Sequence, residues 1–287
     1  MFPARKHAGE GKAVVDRRKS TVRDRQIGTR LRTLRESKGL RMAAAAKVTG
    51  LSAPTLSRIE TGKRRISTED VAMLTTAYGM PVEDRQELIE FVKQGDSGGW
   101  WERPLPGVPP EMGLLASYEA EANSIIDWSV MLIPGLLQIE AYARAYMLSA
   151  RVVPDEADLR WIARRRRQDI LGKIDYTAYI YEGALGVGFG GRAAFREQIK
   201  HLLEAPDRGV GVRLVRERQP VAVLLHSWHY MTFPSVDPIV NVEVSSGGIY
   251  LQDDQAAPYT RHVMMLDEIA VSRSATKAKL QALLKEI

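Results

Sequence analysis

The feature that most constrains this chain is a pair of short helices joined by a single-glycine turn. Met42–Thr49 is Ala-rich and helix-forming, and Gly50 supplies the positive φ that a tight turn needs. Ser52 can N-cap the next helix, with Pro54 in its first turn, where a missing N–H costs little. That helix runs to Thr61 and stops at Gly62. Leu51, Leu56 and Ile59 form its inward face, while Ala53, Pro54, Ser57 and Arg58 are small or polar and face outward. A face of that kind can enter a groove about 12 Å wide without steric conflict. Ala46 is small, as a close helix crossing requires, and Lys63, Arg64 and Arg65 leave the second helix where phosphates would meet them.

The flanking sequence completes an all-α unit over residues 27–92. Ile27, Leu31 and Leu34 fall on one face of a first helix that ends at Gly39. Ser67 caps a fourth helix, Thr68–Tyr78, with Asp70 where a capping box puts its acid. Val82–Val92 makes a fifth. Residues 1–26 are dense in charge and lack an apolar period, so they read as a basic flexible arm. Residues 1–66 carry 18 Lys and Arg against 5 Asp and Glu, whereas the remainder carries 23 against 30. A basic front on an acidic body points to a polyanionic partner, and nucleic acid is the first candidate.

The string Gly50-Leu51-Ser52 through Leu56-Ser57-Arg58-Ile59-Glu60 to Gly62-Lys63-Arg64 resembles the helix-turn-helix of the XRE family, the phage-repressor and Cro-like group. Leu31–Leu40 resembles the family's first helix and turn, with Ala45 standing where the family usually has Leu. The resemblance implies that Ser52, Ala53, Pro54, Thr55, Ser57 and Arg58 approach double-stranded DNA. Arg58 is then the best base reader, because Arg can grip guanine O6 and N7 together. Arg41 and Met42 open the preceding helix, where backbone N–H groups face phosphate. Lys63, Arg64 and Arg65 add phosphate contacts. Glu60 is structural on this reading, since phosphate would repel it.

Gln94–Pro110 is rich in Gly and Pro and holds Trp100 and Trp101, which gives a linker over residues 93–112 with its tryptophans anchored on a neighbouring domain. Residues 113–287 read as an α+β domain. Leu114–Trp128, Gln138–Leu148, Asp155–Leu171, Ala193–Leu203, Pro258–Ala270 and Ser274–Lys285 are helical by pattern. Tyr176–Tyr181, Val210–Val215, Val221–Leu225, Tyr230–Phe233, Ile239–Val244 and Ile249–Leu251 are strand candidates. The string Pro134-Gly135-Leu136-Leu137-Gln138, followed by Tyr142-Ala143-Arg144, resembles the signature of an uncharacterised domain that follows XRE helix-turn-helices in actinobacterial regulators. That resemblance implies a small partner protein in an antitoxin-like arrangement as one role, but carries no ligand or activity. The Arg160 and Arg164–Arg167 cluster reads first as a solvated or ion-paired helix face, and more sharply as a second anion site or an acidic partner's dock.

Several classes fall away. The chain has no cysteine, which removes disulfides, Cys-based zinc sites and thiol catalysis and fits a reducing cytoplasm. Its apolar runs are far short of the roughly 18 residues of a membrane span. Gly186, Gly188 and Gly191 match a dinucleotide-binding spacing, but no run of alternating strands and helices and no ribose-binding acid accompany them, so they read as a flexible loop. His226 and His229, three apart, would face opposite ways on a strand and lack a third metal ligand. The expectation is a cytoplasmic, nucleoid-associated transcription regulator without enzymatic activity or cofactor. It would bind DNA as a homodimer, because one helix-turn-helix covers one half-site, and its C-terminal domain would dimerise and sense a small-molecule effector or partner protein. The alternative is an antitoxin-like protein that holds a small partner, with DNA binding serving autoregulation.

Overall fold

The computed structural model describes residues 22–96, 110–216, 225–244 and 247–287. An all-α N-terminal unit precedes an α+β C-terminal unit. The first consists of α1 (Val22–Ser37), α2 (Met42–Thr49), α3 (Ala53–Glu60), α4 (Thr68–Ala77) and α5 (Val82–Asp96). Its core joins Ile27 and Leu31 of α1 to Ala45, Leu56, Ile59, Leu74, Tyr78 and Leu88. Ala45, not Ala46, is the fully buried alanine. A close crossing lies at Gly28 of α1, where a Cβ would stand 2.4 Å from the Ile59 carbonyl oxygen.

The arm's boundary at residue 26 is corrected, because α1 begins at Val22. Tertiary partners recruit these charged residues into the helix. Buried Asp24 accepts from the Ile66 N–H at 2.8 Å, and Arg23 lies 4.8 Å over the Phe91 ring. Arg25 reaches Asp253 of the C-terminal unit at 2.9 Å. The linker is also shorter than 93–112, since α5 extends to Asp96 and α6 starts at Pro110. Residues 1–21 and the anchoring expected of Trp100 and Trp101 lie outside the described residues.

The second unit contains α6 (Pro110–Glu121), β1 (Ser124–Ser129), α7 (Glu140–Ser149), α8 (Pro154–Arg167), β2 (Asp175–Tyr181), α9 (Gly191–Glu204) and β3 (Val210–Val215). It continues with β4 (Trp228–Thr232), β5 (Ile239–Val244), β6 (Gly247–Leu251), α10 (Ala257–Ile269) and α11 (Arg273–Glu286). The expected single helix Leu114–Trp128 is split, and its second half is β1, a central strand. The sheet order is β3-β2-β1-β4-β5-β6. β1, β2 and β3 are parallel, and β4, β5 and β6 continue antiparallel. Parallel neighbours need long crossovers, which α7 with α8 and then α9 provide. The chain therefore does alternate strands and helices over β1–β3, contrary to expectation. Of the strand expected at Val221–Leu225, residues 221–224 lie outside the described residues and Leu225 is exposed coil.

Period-2 alternation divides the sheet's two faces. Ile125, Tyr176, Ala178, Val212, Met231 and Ile239 pack toward Leu137, Tyr142, Ile199, Leu202 and Leu280. On the reverse, Trp128, Tyr179, Trp228 and Val240 pack against Tyr259 and Leu266 of α10. The glycine-rich stretch before α9, expected as a loop, has exposed glycines around packed side chains. Glu182–Gly186 is 3-10 helical, Gly190 has φ 83°, and Phe189 meets the Tyr142 and Tyr146 rings edge-on at 5.5 Å.

Candidate functional site

Ser52 caps α3 by accepting from the Thr55 N–H at 3.3 Å, with Pro54 in the first turn. Gly50 ends α2 with φ 70°, turning α3 across it. Leu56 and Ile59 fix the inner face of α3 in the core, which leaves Ser52, Pro54 and Arg58 exposed and Ala53, Thr55 and Ser57 half-exposed on its outer side. The Arg58 guanidinium donates to Thr55 Oγ1 at 3.4 Å, and Thr55 Oγ1 also accepts from Ser52 at 2.9 Å. The outer face thus carries one cation held along the helix by its own neighbours.

The start of α2 lies on the same motif. Arg41 is exposed and extended at the N-cap, and its own side chain does not cap the helix's first N–H groups. Met42 packs its side chain on the core, which leaves its backbone as the group an anion could meet. Lys63 is exposed after α3 and Arg65 is half-buried. Arg64 is partly committed, because it grips both Asp70 carboxylate oxygens at 3.0–3.1 Å. Asp70 in turn closes the capping box of α4 with Ser67.

Glu60 is structural, as its charge required. Arg35 Nε donates to both its oxygens at 2.8 and 2.9 Å, and the Tyr78 hydroxyl donates at 3.1 Å. The hydrogen bond to Glu60 raises the Arg35 pKa, and burial followed by the Glu60 charge raises that of Tyr78. The last residue of α3 is thereby tied to α1 and to the C-cap of α4.

A second polar constellation crosses the C-terminal sheet. In register, Asp127 of β1 faces His229 of β4, which faces Asn241 of β5. The Tyr176 hydroxyl donates to Asp127 Oδ2 at 2.8 Å, and His229 Nε2 stands 3.2 Å from the same oxygen. His229 Nδ1 lies 3.3 Å from Asn241 Oδ1. Burial works against a charge on His229, but the Asp127 carboxylate outweighs it and pushes the pKa to about 9. The imidazolium then donates from both nitrogens. Sequence reasoning placed the two histidines on opposite faces. In fact His226 lies outside β4 and contacts the Tyr259 hydroxyl at 3.0 Å, while His229 is in the buried row.

The arginine cluster also divides. Arg160, Arg164 and Arg167, at i, i+4 and i+7, share one side of α8. Arg167 makes a buried fork–fork pair with Glu119 at 2.7 Å, and Arg160 pairs with Glu156. Arg165, exposed, pairs with Asp169. Gln138 explains the Pro-Gly-Leu-Leu-Gln string: its Nε2 donates to the Ile133 carbonyl at 2.7 Å and its Oε1 accepts from Arg164. Tyr142 steadies the same turn by accepting from the Ile133 N–H at 3.3 Å.

A family model described as a domain of unknown function (DUF5753) matches residues 112–282, and one described as a helix-turn-helix domain matches residues 26–88. The HTH-type transcriptional regulator DdrOP3 of Deinococcus deserti is 38% identical over 69 residues, 24% of this chain and 54% of that protein. The chain thus spans about half the length of this curated relative. The crystal structure of the restriction-modification controller protein C.AhdI from Aeromonas hydrophila is 31% identical, with a TM-score of 0.21, covering 23% of this chain and 97% of that one.

Proposed function

The chain belongs to the DUF5753 family, and from that premise, joined to its helix-turn-helix domain, we propose that it is a DNA-binding transcription regulator. One observation carries the reading: α3 is anchored through Leu56, Ile59 and buried Glu60, while its outer face offers Arg58 among small residues. In the proposed complex this face enters the major groove. Arg58 reads a guanine, Ala53 and Pro54 offer apolar contact, and Ser52, Thr55 and Ser57 line the approach. The Arg41–Met42 backbone at the start of α2, with Lys63 and Arg65, meets phosphates. Arg64, shared with Asp70, contributes less.

A single α3 covers one half-site, so a homodimer on a two-half-site operator is part of the proposal. The C-terminal unit, residues 113–287, is the proposed seat of dimerisation and of sensing, whether of a ligand or of a small partner protein. The protein would work on the nucleoid in the cytoplasm, with no catalytic step. Among the described residues, no helix is long and apolar enough to cross a membrane.

The test is a genome-wide binding map of the full chain, followed by titration of a mapped site at several salt concentrations. Affinity should fall with a log–log slope of about −0.9 for each phosphate neutralised. Sites bound no better than random DNA would overturn the regulator reading. A stoichiometric small protein that co-purifies from native cells and releases the chain from DNA would favour the antitoxin-like alternative.

A further inference from the structure

The C-terminal unit holds a half-open cavity of about 500 Å³ between α6, the turn before α7, α7, α8 and the β1, β4, β5 and β6 strands. It is lined by Asp127 and Ser129 at the carboxyl end of β1. On one side of β1 the sheet is parallel and on the other antiparallel. In open α/β sheets the carboxyl end of the strand where connections change direction is where a crevice forms.

The charges around this cavity are mostly compensated internally. Arg167 has Glu119, His229 has Asp127, and Arg160 has Glu156. Arg164 is the exception. Its Nη1 donates to the neutral Gln138 side chain, and its buried Nε has no partner among the described residues. Glu243 acts on it electrostatically, but from an exposed position at the rim. Burial, with Arg167 nearby, lowers the Arg164 pKa to about 10, so its charge is held at a cost that an anion would relieve. The second orphan donor is Asn241, 1% exposed. Its carbonyl oxygen faces His229, which turns its buried amide nitrogen toward Gly248 of β6, where it too lacks a partner among the described residues. Arg164 and Asn241 line the same cavity, together with apolar Leu115, Ile133, Met147 and Val152.

We propose that this cavity binds a small monocarboxylate with an apolar body, its carboxylate accepting from Arg164 Nε and from the Asn241 amide. A single negative charge fits because, among the described residues, Arg164 is the lining cation without an ion-paired carboxylate, while Asp127 and Glu243 in the same lining disfavour any second negative charge. The binding stands on the cavity alone. Its use as the regulator's signal rests on the DNA-binding reading above.

Calorimetry of the full chain with octanoate tests it. Octanoate binds saturably at one site per chain. Octanol, with the body but no charge, acetate, with the charge but no body, and octyl phosphate, a dianion, bind at least about tenfold more weakly. Arg164→Met lowers octanoate affinity about tenfold or more, as expected for a hydrogen bond between charged groups. Gly248→Ala does the same without touching Arg164, because a Cβ there would lie 2.2 Å from Asn241 Nδ2 and push the amide aside. If Arg164→Met fails to fold, Gly248→Ala decides. No octanoate binding at millimolar concentration, octanol binding equal to octanoate, or folded variants that bind like the wild type would each overturn the site. A shift in operator affinity with octanoate supports its use as a signal. Octanoate binding by a chain that recognises no DNA site would count against the regulator reading and leave the cavity's ligand in place.

Discussion

Replacing Glu60 with Leu should sharply destabilise the helix-turn-helix unit, and the structure gives the size of the effect. The Glu60 side chain is 1% exposed and that of its partner Arg35 8%. Glu60→Leu leaves the Arg35 charge buried, with the Leu40 carbonyl at 2.7 Å among its remaining hydrogen-bond partners and Glu36 as its nearest carboxylate, at 3.2 Å. Glu36 is half-exposed, so it offsets little. Breaking a buried pair from one side costs about 3–5 kcal/mol. The Tyr78 hydroxyl also loses its acceptor, for about 1 kcal/mol more. In a unit of this size, that total lowers the melting temperature by on the order of 20 °C. Thermal melting followed by circular dichroism measures it. Arg35→Met with Glu60→Leu should recover most of the loss, because no unpaired charge then remains. A Glu60→Leu loss below about 1 kcal/mol, or a double variant no more stable than the single, would refute the argument that charge burial ties α3 in place.

Gly28→Ala should destabilise by about 1–2 kcal/mol despite alanine's better helix propensity, because the new Cβ meets backbone rather than a movable side chain; urea unfolding would show it, with weaker DNA binding as α3 is pushed away. The His229 pKa is raised to about 9 from 6.5, so its stabilisation is complete below about pH 6.5 and is lost as pH climbs through 9, on the order of 3 kcal/mol in all. Urea midpoints of the wild type should fall across that window, and those of His229→Gln should be lower and nearly flat. Arg58→Ala should cost about 1–3 kcal/mol on a mapped site and relax preference at one base pair, whereas Lys63→Ala should weaken all sequences alike. Equal losses on mapped and random DNA for Arg58→Ala would remove its base-reading role.

The helix-turn-helix was legible because its determinants are local. Gly50 turns, Ser52 and Ser67 cap, and Leu56 and Ile59 repeat with the helix, all within a few residues. What was missed depends on distant partners. Val22–Gln26 resembles a charged tail until Ile66, Phe91 and Asp253 are brought to it. Ser124–Ser129 follows a helical stretch with only two residues between, so its six residues passed as helix, and with them went the alternation that identifies parallel strands. Asp127, His229 and Asn241 are separated by more than a hundred residues at the extremes and carry no shared spacing; only strand order makes them neighbours. The arginine run showed its charge but not which members turn inward, because that depends on where α6 places Glu119.

The polar row across the sheet also bears on how the strands find one another. Apolar alternation specifies which face a strand buries, yet a slip of two residues preserves it. Here such a slip of β4 past β1 would set Asp127 opposite Met231 or Ser227 instead of His229, and would leave a carboxylate in the core without its imidazolium. The same slip of β5 would take Asn241 away from His229. A buried unpaired charge costs several kcal/mol, comparable to the whole stability of many domains. Strands that meet out of step are thus rejected by a lock that hydrophobicity cannot supply, and assembly of a sheet from segments far apart in the chain acquires a single accepted alignment.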